Sequence, residues 1–124
     1  RSRGYSYHYI VEKDGRIVKC CALGREALHA GISSGPSGKS VNRYSVGIAL
    51  VNMNDGHDPY PPVQLEALEW LIRQVLPGTP NAKFMVTHAG ISYPRKTDPF
   101  KLRLGEMAAR VGLTYWQGKQ PWQP

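Results

Sequence analysis

Two short runs near the start of the chain, residues 6–11 and 16–20 in SYHYIVEKDGRIVKC, are rich in aromatic and β-branched residues and flank Lys13-Asp14-Gly15. Such runs suit half-buried strands, and Asp-Gly between them favours a tight turn, so the segment predicts a β-hairpin. Residues 31–39 (GISSGPSGK) are dense in Gly, Ser and Pro and read as a surface loop. Residues 44–51 (YSVGIALV) form a mostly apolar run that suits a strand buried on both faces in the middle of a sheet. Residues 52–62 are polar, contain prolines and predict another loop. The period then changes: Val63, Leu65, Leu68, Leu71, Ile72 and Val75 recur mainly every three or four positions, the signature of an amphipathic helix, which Pro77-Gly78 ends. Residues 82–87 predict a short strand delivering His88 at its end, and residues 102–111 a last helix. Residues 114–124 (TYWQGKQPWQP) show no period and read as an irregular tail, whose Trp116 and Trp122 either pack back or begin a linker. The fold class expected is α/β: one domain over residues 1–113, with a mixed central sheet flanked by helices.

Composition narrows this little. A chain of 124 residues with 41% hydrophobic content suffices for one core and leaves little room for two. No apolar run approaches the ~20 residues of a bilayer span, and RSRGYSYHYI lacks the uninterrupted apolar stretch of a secretory signal. The net charge of +7 favours polyanionic partners: nucleic acid, acidic lipid or anionic wall polymer. The basic residues are scattered, without a nucleic-acid motif, so a solvated basic surface accounts for them equally well. Cys20 and Cys21 are adjacent, lack the spacing of a thiolate zinc site, and read as reduced thiols at a strand end, as in a reducing cytosol.

Candidate chemistry concentrates in THAGISYPRKTDP, residues 87–99. His88 and Asp98 offer a nitrogen and an oxygen donor of the kind zinc takes, and a turn at Pro94 would fold them together. The competing reading is structural: Asp98-Pro99 has the form of an N-cap followed by proline at the first position of a helix over 100–111, with His88 bonded to loop backbone. Period-two geometry puts Tyr7 and His8 on opposite faces of their strand. His57, between Gly56 and Asp58, carries no chemical signal.

Several motifs occur here in a particular order. A strand like SYHYIV precedes Asp-Gly and a second strand; His29-Ala30-Gly31 follows; then Asn42-Arg43-Tyr44-Ser45-Val46-Gly47-Ile48; then a helix with an early Gln64; and last His88 with Lys96-Thr97-Asp98-Pro99. From Tyr5 to about Phe100 the chain resembles the zinc-dependent N-acetylmuramoyl-L-alanine amidases of the phage-lysin and peptidoglycan-recognition-protein superfamily. The resemblance implies a peptidoglycan substrate, cleaved by a zinc-activated water at the amide between N-acetylmuramic acid and L-alanine. It makes His88 and Asp98 two of three protein ligands to Zn2+. Lys96 would stabilise the anionic tetrahedral intermediate, its plainer role being a surface cation. Tyr7 occupies the place of a catalytic tyrosine, its plainer role being to pack. His29, at the groove rim, and Asn42 would bind substrate, His29 otherwise making a loop backbone bond.

Two departures accompany the resemblance. Ala49 stands where many bacterial members have a general-base glutamate, which leaves that role to Tyr7 or to nothing. The family's first zinc histidine lies on a strand before the one holding Tyr7, and only six residues precede Tyr7, so the third ligand is expected upstream of Arg1, with His29 as a stand-in. Three functions are open: a zinc amidase, acting on the wall as a phage or virion lysin or as a bacterial recycling enzyme in cytoplasm or periplasm; a metal-free peptidoglycan-binding module of the same fold; and a basic domain binding nucleic acid or another partner.

Overall fold

The computed structural model describes residues 7–23, 34–35, 38–39 and 45–124. In chain order the elements are β1 (Tyr9–Val11), β2 (Ile17–Lys19), β3 (Ser34–Gly35), β4 (Gly38–Lys39), β5 (Ile48–Leu50), α1 (Pro62–Val75), a 3-10 turn (Leu76–Gly78), β6 (Phe84–Met85), α2 (His88–Ser92), α3 (Gly105–Arg110) and β7 (Thr114–Tyr115). The predicted hairpin is present: β1 and β2 pair antiparallel with Ile10 opposite Val18. Gly15 closes the turn with φ of +89°, a left-handed conformation that favours glycine, and its N–H donates to the Glu12 carbonyl at 2.9 Å. β3 and β4 pair antiparallel within the Gly/Ser/Pro segment.

β5 runs parallel to β1, giving a mixed sheet of order β2-β1-β5. The apolar run 44–51 therefore does not lie mid-sheet among the described residues. β1 takes that place because the hairpin fills one of its edges and β5 the other, and Val11 is wholly buried where they meet. Val46, Ile48 and Leu50 are half-buried, packed against the main core.

Helix α1 starts at Pro62, whose fixed φ and missing N–H suit a first helical turn. Its buried face is Gln64, Leu68, Leu71, Ile72 and Val75, so the stripe begins on a glutamine while Val63 stays 47% exposed. Fully buried Gln64 explains the offset: its Nε2 donates to the carbonyls of Val11 and Val51, 3.0 Å each, pinning the helix start to the ends of β1 and β5. Met85, Leu102, Leu104 and Met107 close the core on the other side.

The C-terminal part departs most from the sequence pattern. α3 covers only Gly105–Arg110 because a turn precedes it, with Lys101 at φ of +59° and the Leu102 N–H bonded to the Pro99 carbonyl at 3.1 Å. Residues 114–124, expected to be irregular, begin with β7, which pairs parallel with β6. Beyond it Gln120 is only 2% exposed, its Oε1 accepting from the hydroxyls of Tyr115 at 2.8 Å and Thr87 at 2.9 Å. Trp122 packs back on the domain, edge-on to Phe100 with ring centroids 5.4 Å apart. No helix among the described residues is long and apolar enough to cross a membrane, and Cys20 and Cys21 are free thiols.

Candidate functional site

Short strand β6 sets the site's first member. Its continuation ends at Thr87, an extended residue whose Oγ1 accepts from the Gly90 N–H at 2.9 Å and so caps α2. His88 is thus the first residue of a short helix rather than the last of a strand. After α2 the chain passes Pro94 and returns, so that the Ala89 N–H donates to the Asp98 carbonyl at 3.0 Å. His88 Nδ1 then stands 2.6 Å from Asp98 Oδ2. The histidine side chain is 9% exposed and that of the aspartate 41%, so the acid is the partner more accessible to solvent.

This arrangement excludes the capping role for Asp98. Its side chain is engaged by His88, and α3 begins at Gly105 with Leu104 as the preceding residue and no side-chain cap. Burial pushes the Asp98 carboxyl up, but the hydrogen bond and charge of His88, aided by its own backbone and by Lys96, outweigh it and hold the group below the usual carboxylate range. Asp98 is therefore anionic at neutral pH. Lys96 lies half-buried on the same return loop, its N–H bonded to the Ser92 carbonyl at 3.2 Å.

Tyr7 comes from the chain entering β1 and brings its ring to 5.8 Å from the His88 ring, tilted 37°. Burial, and then the Asp98 charge, raise its pKa above the ordinary phenol value, so the hydroxyl keeps its proton through neutral pH. His8 points away, as the strand period predicts: it is wholly buried, and its Nδ1 accepts from the Gly47 N–H at 3.0 Å. Tyr60 borders the same region, its hydroxyl donating to the Phe100 carbonyl at 3.4 Å; burial, Asp98 and Asp58 push its pKa up to about 12.

His29 and Asn42, the expected substrate contacts, lie outside the described residues. His57 is exposed, with its N–H bonded to Asp55 Oδ1 at 2.8 Å. Ala49 lies in β5 opposite Ile10 and offers no carboxylate. Asn54, Thr87 and Gln120 were not marked by the sequence pattern. Asn54 Nδ2 donates to Thr97 Oγ1 at 2.8 Å, and its Oδ1 accepts from the Phe100 N–H at 2.7 Å, so one amide holds the return loop on both sides of Asp98. The one sequence signal for it is an Asn in an Asn-Asp-Gly run, which marks a turn and nothing more.

As a donor set the pair suits zinc in kind, nitrogen with carboxylate oxygen. Two ligands of a tetrahedral ion at ~2.1 Å stand about 3.4 Å apart, so atoms 2.6 Å apart need to open by less than an ångström to share one. Among the described residues no group of three or more His, Cys, Asp or Glu converges, so these contribute two donors.

The family model described as N-acetylmuramoyl-L-alanine amidase matches residues 1–101. The 1,6-anhydro-N-acetylmuramyl-L-alanine amidase AmpD of Escherichia coli is 34% identical over 97 residues, covering 76% of this chain and 51% of that one. Among solved structures, AmpDh3 from Pseudomonas aeruginosa in complex with anhydromuramic pentapeptide superposes with a TM-score of 0.73 at 29% identity, over 91% of this chain and 52% of that one. The E. coli amidase AmiD, in complex with anhydro-N-acetylmuramic acid-L-Ala-D-gamma-Glu-L-Lys, gives 0.71 at 27%, over 87% and 48%. The chain spans about half the length of the curated AmpD relatives it matches. A match that runs from the first residue through the Asp98 loop, on a shared fold, settles the kinship: this chain belongs to the N-acetylmuramoyl-L-alanine amidase family.

Proposed function

We propose that the protein hydrolyses the amide joining the lactyl group of N-acetylmuramic acid to L-alanine of the stem peptide, with zinc held by His88, Asp98 and a third donor outside the described residues. The observation that carries this reading is the 2.6 Å His88–Asp98 contact beside Tyr7, on the fold of the family. When bound, the ion polarises the scissile carbonyl and acidifies water. Asp98, anionic at neutral pH, supplies the negative charge that anchors a cation beside His88. Lys96, whose charge reaches Asp98, stabilises in this reading the negative charge that develops on the carbonyl oxygen. Tyr7 keeps its proton at neutral pH and so acts as a hydrogen-bond donor orienting water or oxyanion, rather than as the base that the absent glutamate at Ala49 would have been. His29 and Asn42 carry substrate hydrogen bonds in this reading. Water adds across the C–N bond, leaving a lactyl carboxylate and a free α-amine on alanine.

The relatives that support the reading are bacterial amidases, two of them solved with anhydromuramic peptides, so a soluble anhydromuropeptide is the substrate we favour. They lend nothing to a phage-lysin role, which intact walls would test. Protein supplied with zinc and an anhydromuropeptide is expected to release free stem peptide, detected by mass spectrometry. His88→Ala and Asp98→Ala are expected to bind zinc more weakly and to abolish release while keeping the far-UV spectrum. Binding of muropeptide without cleavage by zinc-loaded protein overturns the hydrolase reading in favour of a recognition module.

A further inference from the structure

We propose that Asn54 is a positioning residue for the His88–Asp98 pair, setting the place of the Asp98 carboxylate through Thr97 and Phe100; its bearing on metal binding rests on the zinc reading above. The residue is fixed before it reaches the site. Its φ of +59° is left-handed, a region that Asn tolerates better than most side chains, and its N–H donates to Asn52 Oδ1 at 2.7 Å. Asn52 Nδ2 in turn donates to the Asp58 carbonyl at 3.1 Å, and Asp58 Oδ2 accepts from the Met53 N–H at 2.8 Å. The Lys13 ammonium pairs with Asp58 Oδ1, which ties this loop to the β1–β2 turn. Gly56 lies so close under Phe100 that a Cβ there would stand 2.9 Å from the ring.

From that base the Asn54 amide spans the return loop. The contact to Thr97 precedes Asp98 by one residue and the contact to Phe100 follows it by two, so the intervening backbone has little freedom to slide along His88. The carboxylate is the more exposed partner of the pair, and its hydrogen bonds run to His88 and to its own backbone N–H. A group that orients a ligand through its neighbours typically governs affinity by one or two orders of magnitude.

Asn54→Gly isolates the effect, since glycine keeps the left-handed backbone and removes only the amide. Thr97→Val removes one of its partners, and Thr97→Ser restores the hydroxyl. In metal-free protein the His88 ring nitrogen NMR shifts are expected to move in Asn54→Gly and Thr97→Val toward those of Asp98→Asn, and to stay near wild type in Thr97→Ser. The zinc dissociation constant is expected to rise ~10-fold in the first two and little in the third. A folded Asn54→Gly or Thr97→Val protein with wild-type His88 shifts overturns the proposal, as does wild-type zinc affinity in both. Wild-type protein that binds no zinc overturns the metal reading alone, because the His88 shifts are read without metal and still decide whether Asn54 sets the pair.

Discussion

Lys96 and Asp98 sit two positions apart yet carry different expectations. The Lys96 backbone N–H, which bonds to Ser92, survives truncation of the side chain, so Lys96→Ala is expected to leave zinc affinity near wild type and to lower kcat by ~100-fold or more, measured as peptide release at saturating muropeptide. Loss of zinc in that variant would make its role structural. Asp98 has a depressed folded-state pKa, so it binds fewer protons when folded than when unfolded. Its stabilising contribution is complete above about pH 4 and disappears as the pH falls through the lower folded value. Acid titration of metal-free protein is therefore expected to show an unfolding limb that Asp98→Asn flattens in that window. Asp98 drew notice in the sequence as an oxygen donor ten positions from His88, and Lys96 only through the resemblance. Asn54 was not legible: its partner Thr97 is 43 positions away, and an amide in a turn gives no hint of what it will reach.

At the scale of elements, legibility followed the length of the repeating pattern. α1 repeats its apolar spacing over fourteen residues and could be placed from sequence, although the stripe hid a buried glutamine at its start. β7 is two residues long and takes its partner from β6, so no period exists to detect and only the tertiary pairing defines it. The last helix was overcalled because Leu102 and Leu104 share the apolar spacing of α3 while lying in the turn before it. Gln64 supplies the test of how α1 is held. Gln64→Leu keeps the volume but takes a donor from the Val51 carbonyl and from the Val11 carbonyl, which still accepts from the Val51 N–H. It also removes the buried Oε1 that has no partner among the described residues, so the protein is expected to lose about 1 kcal/mol in urea unfolding with an unchanged m-value. A neutral result would mean that removal of the unpartnered Oε1 offsets the lost donor.

For the molecule as a whole, the +7 charge would attract the carboxylates on the stem peptide of the proposed substrate, so KM for muropeptide is expected to rise with ionic strength while kcat holds. A salt-insensitive KM, together with DNA affinity that falls steeply with salt, would favour the nucleic-acid reading instead. The candidate site draws on widely separated parts of the chain: Tyr7 beside His88, Asn54 bracketing Asp98, and Gln120 beneath Thr87. Synthesis delivers these parts in order, and the amide that underpins Thr87 comes out after every candidate catalytic side chain has already left the ribosome. A chain truncated at Val111 would retain His88, Lys96 and Asp98 without β7 to pair β6 and without Trp122 against Phe100. Protease cutting within 88–100 is thus expected to be faster in a chain truncated at Val111 than in one that includes Trp122, which would make the segment after α3 a clamp over the candidate site.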